Sequence, residues 1–278
     1  MRGRALRVAV CQTAAALGRA EENAARLAER IRALGAADPP PDLALFPELA
    51  LTGYVAGPRA HRALGGAGEA LARVAQAAAA AGVAVVVGNA EEDASLPGVV
   101  YDSLYLIDPT GRERARYRKR FLWQEEQLAY ARGHESAVAA VAGVRIGLGV
   151  CWDLAFPEWS RPLALGGAEL LAVGAAWDRA DIGLFELFAR ARAAENACYL
   201  AVANRVGRDG HVAFGGRSQV VGPDGRVLAR AGAREEACLT VELDLERVAE
   251  ERAEHNPYLR DLDAALGRRP GAGEGWGL

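Results

Sequence analysis

Three residues stand where strand-like segments run out, and their types suit acyl transfer. The apolar run Leu43-Ala44-Leu45-Phe46 ends in Pro47-Glu48, which places a carboxylate where α/β proteins gather reactive groups. The run Gly147-Leu148-Gly149-Val150 ends in Cys151-Trp152-Asp153, with Phe156-Pro157-Glu158 close behind. Proline favours the first helical turn, so this segment reads as strand, tight bend and helix, a path able to expose a nucleophile. Gly147 and Gly149 are small enough to permit close backbone approach. Between the two lies Tyr117-Arg118-Lys119-Arg120, which follows a strand and leads into Phe121-Leu122-Trp123. A cation entering an aromatic segment can be held in a pocket.

Each residue taken alone also has a plain structural reading. Glu48 can open a loop or helix, Cys151 can be a buried thiol like most free cysteines, and Lys119 sits in a charge run of the kind that commonly faces solvent. The chemistry sets further demands. A thiol with an ordinary pKa near ~8.5 is mostly protonated at neutral pH, so Cys151 needs a base. A carboxylate ordinarily near ~4.3 is expected to rise through burial beside other acids, which would bring Glu48 into a range useful for proton transfer.

The elements that must position these groups alternate. The pattern predicts strands over 7–11, 42–46 and 83–87, helices over 21–34 and 67–81, and a strand pair over 99–107 and 114–117 joined at Asp108-Pro109-Thr110-Gly111. A similar rhythm follows, with strands over 144–150, 169–173 and 199–203 and helices from Pro157 and over 184–196. Final strands flank Gly222-Pro223-Asp224-Gly225, and 237–243 ends the sheet before a polar tail. Such interleaving implies an α/β fold with mixed, largely buried sheets covered by helices. Two such half-layers facing each other make a four-layer sandwich.

With 51% hydrophobic residues the chain can bury a large core, and a net charge of −3 without a basic stripe argues against nucleic acid as a partner. Nowhere do about eighteen uncharged apolar residues run together, so no membrane span is expected. The first residues are too briefly apolar for a signal peptide, and a cytoplasmic enzyme is the expectation. Cys11, Cys151, Cys198 and Cys238 have no regular spacing, and the histidines show no ligand pairing. Neither a disulfide framework nor a metal site is therefore expected.

Taken in order, the segments resemble the nitrilase superfamily of carbon–nitrogen hydrolases. Phe46-Pro47-Glu48-Leu49 with Leu51-Thr52-Gly53-Tyr54 is similar to its glutamate motif, Tyr117-Arg118-Lys119 to its lysine motif, and Cys151-Trp152-Asp153 with Phe156-Pro157-Glu158 to its cysteine motif. Supporting segments at 190–196 and Asn204-Arg205-Val206-Gly207 extend the resemblance over nearly the whole chain. It implies a single αββα domain over 1–278, with Glu48 as general base, Lys119 as oxyanion stabiliser and Cys151 as nucleophile. Glu126, rather than Glu125, is the implied fourth member. No cofactor is implied. Relatives usually pair, so a homodimer or higher homo-oligomer is implied, with the tail at 255–278 reaching the partner.

The expected substrate is a small neutral or cationic amide, bound near Tyr54, Trp152, Ala155, Ala176 and Trp177. Ala155 stands where several relatives that act on carboxylate-bearing amides carry an arginine able to grip the acid. The stretches 59–68 and 178–183 are the expected pocket walls. Nitriles and N-carbamoyl amines are alternative substrates, although true nitrilases tend to carry Cys-Trp-Glu where this chain has Cys151-Trp152-Asp153. A Cys151 hydrolase paired with His211 or His255 and an inactive binding protein are the competing classes.

Overall fold

The computed structural model describes residues 4–54 and 66–265, apart from the side chains of His255 and Asp263. The alternation of apolar residues dictates its layers. In β1 (Ala5–Gln12), Val8 and Val10 face inward while Ala9 and Cys11 face outward, and in β2 (Leu43–Leu45) the inward pair is Leu43 and Leu45. The outward side chains pack against α1 (Ala20–Gly35) and α2 (Ala67–Ala81) through Leu27, Ile31, Val74 and Ala78. With β3 (Ala84–Glu92), β4 (Val100–Ile107) and β5 (Glu113–Arg118) these strands form one six-stranded sheet.

The second sheet begins with β6 (Val138–Val141) and β7 (Val144–Val150). It continues after α3 (Pro157–Leu165) with β8 (Leu170–Ala175), and after α4 (Ile182–Asn196) with β9 (Tyr199–Asn204). A short hairpin, β10 (Arg208–Asp209) and β11 (Val212–Ala213), interrupts before β12 (Gln219–Val221) and β13 (Val227–Arg230) complete the sheet. Each sheet has three parallel strands at its centre, β1-β2-β3 and β7-β8-β9, flanked by antiparallel neighbours. The inner faces meet in one core of Leu, Val and Ile side chains, so the order of layers is helix, sheet, sheet, helix.

Several expected boundaries coincide with the observed ones, notably 67–81, 144–150 and the helix start at Pro157. Three differences carry information. Strand β14 (Ala237–Asp244) does not continue the sheet of β12 and β13; it crosses back and pairs antiparallel with β1 along its full length. The sequence pattern gives no strand at β6, because Val-Ala-Ala-Val is only four residues long and is held by its pairing with β7. The expected polar tail contains α5 (Glu246–Glu250) and α6 (Tyr258–Ala265), with a π-helical turn at Glu251–His255 between them. Residues 266–278 of the tail lie outside the described residues.

Candidate active site

Glu48, Lys119 and Cys151 come from separate elements and converge between the sheets. Glu48 lies just past β2, in a turn whose next residue, Leu49, has φ +48°. This turn fits because both sheets leave room for it. A Cβ added at Gly88 of β3 would stand 2.5 Å from Leu49 N and 2.7 Å from Glu48 Cα, and one at Gly174 of β8 would stand 2.9 Å from Glu48 N. The backbone of Glu48 is therefore gripped between two glycines, one from each sheet.

Cys151 ends β7 and opens a 3-10 turn, Cys151–Ala155, with φ +45°. That conformation costs an L-residue roughly 1–2 kcal/mol and survives only where the surroundings impose it. Here Asp153 imposes it, accepting hydrogen bonds from the backbone N–H of Val150 at 2.9 Å and of Phe121 at 3.0 Å. The expected close approach at Gly147 and Gly149 is real, but side chains make it rather than backbone. The Trp159 indole occupies the space a Cβ at Gly149 would need and donates to Leu148 O, while Leu163 packs over Gly147.

Lys119 follows β5, tied by its N–H to Asp102 O and by its carbonyl to Gly133 N, both at 2.9 Å. Its ammonium is wholly buried, 2.5 Å from Glu48, 2.8 Å from Glu126 and 3.5 Å from Asp102. These three carboxylates are close enough together to surround a cation, and the Lys119 ammonium sits among them. Glu126, on the 3-10 helix Gln124–Leu128, also accepts from Tyr54 Oη at 2.9 Å and from Trp123 N at 2.7 Å.

Three acids cannot all stay ionised around one ammonium, and their environments sort them. Burial pushes Glu48 up, but the Lys119 charge and hydrogen bonding from Asp102, Lys119 and Cys151 outweigh it, and the net shift is downward. The expectation that burial would raise Glu48 is thus corrected. Asp102 is driven well up by burial and by the Glu48 charge, and Glu126 rises mainly through burial. Glu48 Oε2 and both Asp102 carboxylate oxygens otherwise lack partners. A proton held by Asp102 and donated to Glu48 supplies one to both groups.

Burial works against the Lys119 charge, yet Glu126 and Glu48 hold its pKa well above the ordinary range. Burial, followed by the Glu48 charge, pushes the Cys151 thiol well up, against the Ala176 N–H that points at its sulfur. At rest the site therefore pairs a neutral thiol with an ionised carboxylate and a fixed ammonium, an arrangement suited to proton transfer during nucleophilic attack.

A narrow cleft opens over Cys151, lined by Tyr54, Trp123, Glu126, Trp152, Ala176, Trp177, Asp178, Asp181 and Val212. Four of the five expected substrate residues are thus brought together. The fifth, Ala155, is not among the described lining residues; its carbonyl instead accepts from Arg192 at 3.3 Å. Trp177 both packs against Phe185 and lines the cleft, with Asn204 Oδ1 accepting from its N–H at 2.7 Å. Of the expected walls, Asp178 and Asp181 are in place, whereas 59–65 lies outside the described residues. His211 sits exposed at the tip of the β10–β11 hairpin.

Sequence reasoning missed Asp102, which shares the inward face of β4 with Leu104 and Leu106. An acid at an apolar parity position was the available signal. It also missed Asp209, which accepts from Arg205 at 2.6 Å and from the Tyr54 N–H at 3.0 Å, fixing Tyr54 over the site. No local pattern marks that residue.

A family model described as carbon-nitrogen hydrolase matches residues 7–253. An (R)-stereoselective amidase of Pseudomonas sp. is 36% identical over 246 residues, 88% of either chain. A probable nitrilase of Schizosaccharomyces pombe is 28% identical over 264 residues, 94% of this chain and 97% of its own. Among solved structures, a variant of the amidase from Nesterenkonia sp. AN1, with the acetamide moiety of fluoroacetamide covalently added at its active-site cysteine, aligns with a TM-score of 0.84. Its identity is 28%, over 96% of this chain and 97% of that one.

Proposed function

The chain belongs to the carbon–nitrogen hydrolase family and is an enzyme that hydrolyses amide C–N bonds, and from that premise we propose that Cys151 is its nucleophile, Glu48 its general base and Lys119 its oxyanion stabiliser. The observation that carries this reading is the buried Lys119 ammonium, 2.5 Å from Glu48, beside a cysteine held at positive φ.

In the first step Glu48 takes the Cys151 proton as sulfur attacks the amide carbon. The resulting oxyanion is stabilised by the Lys119 ammonium and the Trp152 N–H; removing one such donor typically costs about 2.7–4 kcal/mol of activation free energy. Glu48 then protonates the leaving nitrogen, ammonia departs and a thioester remains. Glu48 next takes a proton from water, which attacks the thioester, releases the acid and restores the thiol. Glu126 holds Lys119 and Tyr54 in position.

The substrate we infer is a small neutral or cationic amide. Trp123, Trp152, Trp177 and Tyr54 offer aromatic faces that favour apolar or cationic groups. Asp178 and Asp181 are the charged groups at the rim, and no lysine or arginine is among the described lining residues. A carboxylate-bearing amide would meet repulsion there. Ammonia release from neutral, aminoalkyl and carboxyalkyl amides, with nitriles and N-carbamoyl amines alongside, tests this. Fastest turnover of the carboxyalkyl amide, or of a nitrile or N-carbamoyl amine, would overturn it. Cys151→Ala should lose activity on every amide yet keep the wild-type fold by circular dichroism, and full activity in that variant would remove the nucleophile assignment.

The same reading takes 1–278 as one domain that self-associates. Leu184 and Leu187 of α4 and Tyr258 of α6 are exposed on helices that pack together, and an apolar group of this kind suits a partner surface. Light scattering should give a dimer or larger, and a monomer would refute it. Cytoplasmic placement is part of the same reading, supported by the irregular spacing of the four cysteines, which is unlike a secreted disulfide framework.

A further inference from the structure

Three of the four cysteines take no part in the chemistry above, and the return of β14 to the first sheet brings two of them face to face. Cys11 of β1 and Cys238 of β14 are directly opposite in the antiparallel register, with their sulfurs 3.2 Å apart. Opposed residues in such a ladder have Cα atoms about 4.5 or 5.5 Å apart, depending on the pair type, and both separations fall in the range a disulfide spans. The two thiols differ in access. Cys11 is wholly buried under α1, whereas Cys238 is exposed on a strand at the sheet edge.

We propose that Cys11 and Cys238 are a redox-active dithiol that closes to a cross-strand disulfide on reaction with a low-molecular-weight disulfide of the glutathione type. Cys238 is the attacking thiol. It is the accessible member, and a hydrogen bond from the Cys11 thiol, with help from the Arg30 charge, favours its thiolate. Its sulfur attacks one sulfur of the small disulfide, forming a mixed disulfide and expelling one thiolate. Cys11 then gives up its proton and attacks Cys238 Sγ, closing the intramolecular bond and expelling the second thiolate. Two protein thiols are oxidised, one small disulfide is reduced to two thiols, and both protons leave with the expelled groups.

The bond would clamp the point where the chain comes back from the second sheet to the first. Gln12, next to Cys11, donates to Gly232 O and Glu235 O and accepts from Ser218 N. Closure therefore ties β1 covalently to a segment it already holds by hydrogen bonds. Linking residues so distant in sequence constrains the unfolded chain strongly, so the oxidised protein should melt several degrees higher.

The test incubates the full chain with oxidised glutathione, blocks remaining thiols, and maps peptides by mass spectrometry without reduction. A peptide joining Cys11 to Cys238 is expected, together with a raised Tm that dithiothreitol reverses. Cys238→Ser should lose both the linked peptide and the Tm gain, while keeping wild-type amide hydrolysis under reducing conditions. Accumulation of a glutathione adduct on Cys238 without the linked peptide, or linkage of either cysteine to Cys151 or Cys198 instead, would overturn the proposal. Because the readouts are a cross-link and a melting temperature, they stand whatever the catalytic roles prove to be.

Discussion

Glu48 and Lys119 are useful because each is kept in its charged form by the other. Glu48 is shifted downward, chiefly by the Lys119 charge against its burial, and Lys119 upward by Glu126 and then Glu48, so neither changes charge near neutrality. A base with a lowered pKa loses function only when pH falls below its ordinary range, and a cation with a raised pKa only far into the alkaline. The dependence of kcat/KM on pH should therefore show no limb near neutrality from either Glu48 or Lys119. A measured acid limb centred near neutrality would contradict this state of Glu48. Four members of this cluster were legible in the sequence, since Glu48, Lys119, Glu126 and Cys151 each follow a strand or lie in an ordered motif. Asp102 was not, because its role depends on β4 pairing with β5 beneath Lys119, a contact between segments that no short window contains.

Turns and glycines do the positioning at the next scale. Gly88→Ala would drive a Cβ into the backbone of Glu48 and Leu49, shifting the base while leaving every catalytic side chain present. Misplacement by about 1 Å can cost on the order of 100-fold in rate, so kcat/KM in this variant should drop by that order while Cys151 remains available to thiol reagents. The Cys151 turn makes a separate prediction through Asp153, whose pKa burial raises to about 6 from an ordinary 3.8, against the hydrogen bonds it accepts. The folded chain then holds that proton where the unfolded chain has lost it. Stability from this group is present below the unfolded pKa and declines as pH rises through the folded one, by about 3 kcal/mol across the window. Urea unfolding of Asp153→Asn beside the wild type should show a shallower decline over the same pH range, and parallel slopes would exclude the effect. The strand and helix runs behind these turns were readable from their periodicity, as at 67–81 and 144–150. The positive φ at Leu49 and Cys151 was not, because packing rather than residue type imposes it.

Over the whole molecule, β14 decides whether the two halves act as one. It follows the last strand of the second sheet in the chain, forms the edge of the first along its whole length, and places Leu243 in the core the sheets share. Leu243→Ala should cost about 2–5 kcal/mol. Because the core is shared, unfolding should remain a single transition when followed by circular dichroism and by the fluorescence of Trp123, Trp152, Trp159 and Trp177, which report on the second half and the cleft. Two separated transitions would mean that the halves hold themselves together independently. Which sheet this strand joins was hidden in the sequence, since its alternating pattern fits either edge equally well.

The grip of Gly88 and Gly174 on Glu48 has a consequence for how this enzyme can vary. With one jaw on each sheet, the position of the base records the distance between the sheets, so substitutions deep in the shared core reach the rate without touching the cleft. Catalytic turnover thus serves as a ruler for interlayer spacing. A core substitution that changes side-chain volume should therefore slow turnover less when a facing residue compensates for it.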